Sequence, residues 1–156
     1  MPTRSAGILP FRVVADRGLE VLLVHPGGPY WSGKDQHAWS VAKGEYAEDE
    51  PPEHAAEREF AEELGMPAPP GPRVDLGEVR QGGGKRVRVW AVEVDDVPVS
   101  DLISNTFEME WPPGSGRLQP FPEVDRAEWV SLDTARVRLV RGQVAFLDRL
   151  VASVER

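Results

Sequence analysis

Pro51 and Pro52 at one end, and Gly65 with Pro67 at the other, bracket a segment, residues 53–64, whose apolar side chains fall at helical spacing. Prolines suit the first turn of a helix, where their missing N–H groups would lack partners anyway, and Asp49 stands where a capping side chain is expected. Gly65 supplies the stop. Ala56, Phe60 and Leu64 recur at intervals of four, which makes one apolar stripe. A helix with a single such stripe must lie flat on one face of another element, so the surrounding chain has to provide a layer to receive it.

The flanking segments read as strands. Residues 5–14 and Val21-Leu22-Leu23-Val24 alternate or run apolar on either side of an Asp16-Arg17-Gly18 turn, which predicts a hairpin. Residues 25–29 break the pattern, 30–37 read as an exposed polar and aromatic loop, and a short strand is expected at 38–42. Beyond the helix and a proline-rich loop at 66–72, strands are expected at 74–80 and 86–94, joined by the glycine turn Gln81-Gly82-Gly83-Gly84. A third candidate covers 104–111, residues 112–116 are a loop, and 128–132 is a short strand. Asp133-Thr134 are expected to cap a brief helix from Ala135. The final helix, 142–154, carries Val144, Leu147, Leu150, Val151 and Val154 on one side. Strands, helix, strands, helix with hairpin-like connections favour an α+β layered fold over an alternating parallel sheet.

The chain has 156 residues, with fifteen glycines and fifteen prolines distributed between patterned segments and no repeat or linker tract, so a single domain over 1–156 is expected. At this length folding buries roughly 70% of the unfolded surface, so a core can form without staples. The absence of cysteine and the scatter of three histidines exclude a disulfide scaffold and a zinc finger. A formal net charge of −8 argues against a grip on long nucleic acid. Neither a membrane-spanning run nor the apolar stretch of a signal peptide is present, so the expectation is a soluble cytoplasmic protein with no membrane partner, for which a homodimer is a possible assembly.

On the helix, Glu59, Glu62 and Glu63 lie three and four apart and converge on one patch. Like charges at these spacings repel, and a hard divalent cation such as Mg²⁺, which takes oxygen ligands and shares them with substrate phosphates, would compensate. An exposed acidic face kept for solubility looks the same in isolation. The neighbours favour the cation: Arg58 is placed to pair with Glu50 and tie the preceding loop to the helix, and Gly44 lets the backbone approach closely enough for its carbonyl to be a further ligand.

Gly44, Glu50, Arg58, Glu59, Glu62, Glu63 and Gly65, with Phe60 and Met66 at the bulky apolar positions, match the spacing Gly, five residues, Glu, seven residues, Arg-Glu-apolar-x-Glu-Glu-x-Gly-apolar. Residues 44–66 thus resemble the box of the Nudix hydrolases. The resemblance implies a sandwich in which a mixed β-sheet lies between helices, and a pyrophosphohydrolase that uses Mg²⁺ or Mn²⁺ to split a diphosphate linkage in a nucleoside diphosphate joined to another group. It also implies that Glu59, Glu62 and Glu63 hold metal, that Gly44 offers its carbonyl, and that Glu50, Arg58 and Gly65 keep the motif in shape. The family's late pattern of Glu followed six residues on by Trp is met by Glu123 and Trp129, which makes Glu123 the candidate auxiliary ligand or base. A solvated loop glutamate is the competing reading, and Glu108 and Glu110 are rivals for the role.

The run Trp39-Ser40-Val41-Ala42-Lys43-Gly44 resembles the Trp-x-x-Pro-Lys-Gly that precedes the box in Nudix hydrolases of dinucleoside polyphosphates and diphosphoinositol polyphosphates, with Ala42 in place of the proline. This resemblance puts dinucleoside polyphosphates first, nucleoside triphosphates second and nucleotide sugars or ADP-ribose third. A non-catalytic nucleotide-binding module of the same fold is the alternative from another class. Lys43 offers a point charge to a phosphate chain, Arg86 and Arg88 add local basicity, and Tyr30, Trp31 and Tyr46 are candidates to stack on a base. His25 reads as a strand-end residue with no nucleophilic or metal constellation around it.

Overall fold

The structure is a computed structural model that describes residues 3–16 and 18–155, so Arg17 of the first turn lies outside the described residues. Its longest strand, β1 (Arg4–Val14), organises the sheet. Strand β5 (Arg86–Glu93) runs parallel to β1 from Arg4 to Phe11. Two strands therefore share the other edge: β2 (Gly18–Pro26) pairs antiparallel over Phe11 to Val14, and β3 (Ala42–Glu45) over Ser5 to Ile8. Strand β4 (Val74–Arg80) closes one side against β5, and β8 (Val124–Ser131) closes the other against β2, giving the order β4-β5-β1-β2-β8 with β3 on β1. The mixed sheet is as expected.

Alternation along the central strands divides the core in two. Helix α1 (Pro52–Leu64) lays Ala55, Ala56, Phe60 and Leu64 against Ala6, Ile8, Leu22, Val24, Trp90 and Val92. On the opposite face α2 (Leu132–Arg138) and α3 (Ala145–Val154) bring Ala135, Phe146, Leu147 and Leu150 against Leu9, Phe11, Val21, Leu23, Val87 and Val89. Both faces are covered, which is why these strands read as nearly continuous apolar runs. A separate antiparallel pair, β6 (Thr106–Glu110) and β7 (Leu118–Pro122), stands beside the sheet.

Several expected boundaries move. The strand expected at 38–42 is β3 at Ala42–Glu45, while Trp39 and Ser40 make isolated bridges to Leu139 and Val24. Asp49 caps nothing: the N-cap position of α1 is Pro51, and no side chain caps it. Strand β7 carries two prolines and gave no strand signal, yet it pairs with β6 along its whole length, as an edge strand can. Strand β8 begins at Val124, earlier than expected, and hands over at Leu132 to α2, whose cap is Ser131, not Asp133 or Thr134. The Ser131 hydroxyl accepts the Thr134 N–H at 3.2 Å. The last helix starts only at Ala145, after a 3₁₀ turn at Arg141–Gln143; Phe146 joins its buried stripe and Val154 is exposed.

Helix α1 ends at Gly65, whose φ of 72° is left-handed and whose N–H donates to the Ala61 carbonyl at 2.8 Å. The carbonyls that the helix end leaves free are taken up by the next loop, since Ile103 N–H donates to Leu64 O and Asn105 N–H to Glu62 O. A side chain on residue 65 would collide with the Ile103 carbonyl. Gly65→Ala is therefore expected to cost about 1–3 kcal/mol, from the positive φ and this contact together, read as a lower denaturation midpoint.

Candidate active site

Strand β3 and helix α1 meet at the acidic patch. Glu59 and Glu63 point from the helix toward the strand and are both buried, at 8% and 6% exposure, whereas Glu62 is partly exposed. Glu63 accepts the backbone N–H of Lys43 at 3.2 Å. The Glu59 carboxylate lies where a Cβ on Gly44 would be, so glycine is what admits it. Gly44 itself is fixed by its register opposite Ala6 in β1.

Arg58 braces this corner. Its Nε and Nη2 donate to the two Glu50 oxygens, both at 2.8 Å, a bidentate pair that ties the loop before α1 to the helix. Its Nη1 donates to Glu59 at 2.8 Å and to Glu62 at 3.2 Å, and its Nη2 reaches the Glu45 carbonyl. The Glu50 hydrogen bonds, followed by those from the box glutamates, hold the Arg58 guanidinium above the ordinary arginine range, and the same pair holds Glu50 below the usual carboxylate range.

Burial dominates the electrostatics deeper in. Removal from water raises Glu59 and pushes Glu63 up to about 8 despite the nearby Lys43, and it draws Lys43 below the usual lysine value. The Glu123 charge adds a smaller repulsion to both glutamates, and Glu123 lines the same cleft as Glu63. Its position has a traceable origin: Asn105 donates to Glu62 O in α1, Glu123 N–H donates to Asn105 O, and Gly27 N–H donates to Glu123 O, so one backbone relay fastens residue 123 to the end of the acidic helix.

Lys43, Glu63 and Glu123 line a cleft of about 230 Å³ whose walls also include Trp31, Val24, Ala38, Val140, Ser40, Gln81 and Gln143. The other candidates lie elsewhere. Arg88 pairs with Asp75 at 2.6 Å and sits over Trp90, and Arg86 faces Glu78, because β5 turns these positions to the α1 face beside the carboxylates of β4. Tyr46 packs against the α1-side core, and Tyr30 meets the edge of Trp111 at 5.5 Å. Glu108 and Glu110 belong to β6, away from the cleft, and Glu110 accepts the Gly114 N–H of its own turn.

Two features escaped the sequence. His25 is fully buried, with Nδ1 2.8 Å from Asp125 and Nε2 2.6 Å from the Lys34 carbonyl, so it tethers the 27–37 loop to β8. Gln143 is equally buried and reaches Gln81, Ser40 and Val41. Apart from Lys34, nine residues from His25, each partner is distant in the chain, so spacing alone carries no signal.

Among the described residues no three acidic, histidine or cysteine side chains already converge as a cation cage, because Arg58 engages Glu59 and Glu62. The residues nevertheless suit a hard divalent cation: every side-chain donor is a carboxylate oxygen, and Gly44 leaves the space a side chain would fill. Two of the carboxylates also lie out of water against a third, a repulsion that a cation relieves.

The model of the NUDIX domain family matches residues 1–150. The chain belongs to the Nudix family. Among solved structures, a C. elegans Ap4A hydrolase binary complex aligns with a TM-score of 0.66 at 18% identity, covering 97% of this chain and 98% of that one. The NUDIX domain of Shewanella oneidensis NrtR complexed with ADP ribose aligns at 0.65 and 15% identity, over 99% and 89% of the two chains. The MutT protein of Methanosarcina mazei Go1 aligns at 0.59 and 20% identity, over 99% and 97%. At these identities the likeness speaks for the Nudix fold. No curated protein matches the chain. Membership of this family supports a pyrophosphohydrolase as the reaction class, and the Nudix family generally uses a divalent metal such as Mg²⁺ or Mn²⁺. Among the described residues, no helix is long and apolar enough to cross a membrane.

Because Glu63 binds its proton more tightly folded than unfolded, its burial costs stability progressively as pH rises from about 4.5 to about 8. In metal-free buffer the melting temperature of Glu63→Gln, relative to the parent, is expected to climb between pH 5 and pH 8. A difference that stays flat across that range contradicts the assignment.

Proposed function

We propose that this Nudix protein hydrolyses a phosphoric anhydride bond in a nucleoside diphosphate joined to another moiety, a dinucleoside polyphosphate before other substrates, with Mg²⁺ or Mn²⁺ held by Glu59, Glu62, Glu63 and Glu123 and by the Gly44 carbonyl. The observation that carries this reading is the arrangement of the cleft: buried Glu63 and exposed Glu123 beside Lys43, with Trp31 on the same lining. Negative charge that repels phosphate is thereby joined to a feature that recognises it. A bound divalent cation supplies charge neutralisation and acidifies a coordinated water.

The chain's own groups do the rest. Lys43 is a compact positive charge, half-buried at the cleft beside Glu63 and suited to a phosphate oxygen. Glu123 is exposed at the cleft, so its carboxylate is placed to take the proton from the attacking water. Glu50, through its two bonds to Arg58, keeps Glu59 and Glu62 from spreading apart as substrate enters. Trp31, 40% exposed, offers a face to a base. The Trp39 to Gly44 run supports the dinucleoside polyphosphate preference, and the fold likeness to the C. elegans Ap4A hydrolase is consistent with it.

Glu62→Gln or Glu63→Gln should lower turnover about a hundredfold or more while circular dichroism stays unchanged. Unchanged turnover in both variants refutes the metal role. A substrate panel with Mg²⁺ and Mn²⁺, with products identified by mass, decides the class. A nucleoside monophosphate plus pyrophosphate from a triphosphate would replace the dinucleotide reading, and tight nucleotide binding with no product would replace the enzyme by a binding module. Independently, Mn²⁺ at a hundred times its Kd should stabilise the native protein by about 2.7 kcal/mol, seen as a raised melting temperature that Glu63→Gln largely abolishes.

A further inference from the structure

At Gln143 a backbone donor settles which way a buried amide faces. The Val41 N–H can only donate, and it meets Gln143 at 2.9 Å, so the Gln143 atom there is the carbonyl Oε1. The Gln143 nitrogen then faces the other way and donates to Gln81 Oε1 at 2.8 Å and to Ser40 Oγ at 3.0 Å. Ser40 can accept because its own hydroxyl donates to the Val41 carbonyl at 2.7 Å. Gln143 is thus fully bonded at zero exposure, and its orientation dictates the next one in line.

Gln81 has its carbonyl oxygen engaged by Gln143. Its amide nitrogen carries two N–H groups that no described residue accepts, and the side chain lines the cleft. The stem is held as well: Gln81 N–H donates to Lys85 O at 2.8 Å, and Gly142 packs so closely that an added methyl would lie 3.0 Å from Gln81 Cα and 3.1 Å from its Cγ. In the approach to β3, Lys43 stands by Glu63, while Ser40 and Val41 hold Gln143. An extended chain covers about 7–10 Å between those positions. The cleft therefore runs from carboxylates and Lys43 toward an amide that offers donors, with the Trp31 ring alongside.

A glutamine that offers both its oxygen and its nitrogen pairs with adenine, which presents N7 as acceptor and N6 as donor. With its oxygen engaged by Gln143, Gln81 is matched instead to an edge made of acceptors, such as N7 and O6 of guanine. We propose that the Gln81 amide, oriented by Gln143, reads the base of the substrate and selects a 6-oxopurine over a 6-aminopurine. This rests on the hydrolase reading for the place of the phosphates, and it names the base end of that same site.

The test compares kcat/KM for guanosine- and adenosine-ended dinucleoside tetraphosphates, and for GTP and ATP, alongside calorimetric Kd values for GDP and ADP with Mg²⁺. The parent should favour guanine about tenfold or more in both measures. Gln81→Glu keeps an acceptor for Gln143 but offers the cleft acceptors alone, so it should reverse the preference toward adenine, whereas Gln81→Met should bring the ratio near one. A parent ratio near one, or a ratio that Gln81→Glu leaves unchanged, overturns the proposal. Guanine-selective binding that follows these substitutions, with no turnover of any substrate, supports the base reading and removes the hydrolase reading.

Discussion

Two carboxylates kept out of water against a strand are the constraint on which the rest of this site depends. Glu63 gains a backbone donor and Glu59 an arginine, yet burial still raises both, and the Glu123 charge adds to their repulsion. Such an arrangement is costly unless the surroundings hold it rigidly, and the rigidity is visible. Gly44 has no side chain to displace Glu59, β1 fixes the register of Gly44, and Glu50 clamps Arg58 from the far side. An acidic helix kept for solubility would turn its glutamates outward. Here the helix buries two of the three box glutamates.

The same constraint orders the loops. The free carbonyls at the end of α1 are taken up by residues 103 and 105, and the second of these passes the connection on to Glu123. A helix terminus that needed partners has thereby located a carboxylate about sixty residues further along, at the glutamate that the Glu123 to Trp129 spacing singles out. The coupling of Gln143 to Gln81 follows a similar logic at the other end of the cleft, where a strand N–H orients one amide and that amide orients another.

How much was legible depended on whether the determinant was local. Helix α1, the β4 and β5 strands and the box spacing are local, and they stand where periodicity and turn residues put them. The Arg58 to Glu50 pair could be foreseen because a helix and its entry loop bring the residues together. Strand β7 was hidden by its prolines, and β3 shifted because bridges from Trp39 and Ser40 to other segments, rather than propensity, decide where ladder pairing begins. Arg86, Arg88 and Tyr46 looked available for phosphate or base, but strand alternation carried the arginines to the face where β4 supplies carboxylates and packed the tyrosine against the core. His25 and Gln143 were illegible because their partners lie across the fold.

The divided edge of β1 has a further consequence. Since β2 and β3 both pair with that edge at different levels, the residues between them must leave the sheet and return to it. Both ends of this excursion are pinned, by the reciprocal Val24 and Ser40 hydrogen bonds and by those linking Trp39 to Arg138 and Val140. Inside those pins, Gly27 and Lys34 are fixed by their bonds to Glu123 and His25, so the stretch free to change in length or composition is the turn between them. Drift in the identity of the ligand could thus proceed there while the hydrolytic chemistry stayed untouched.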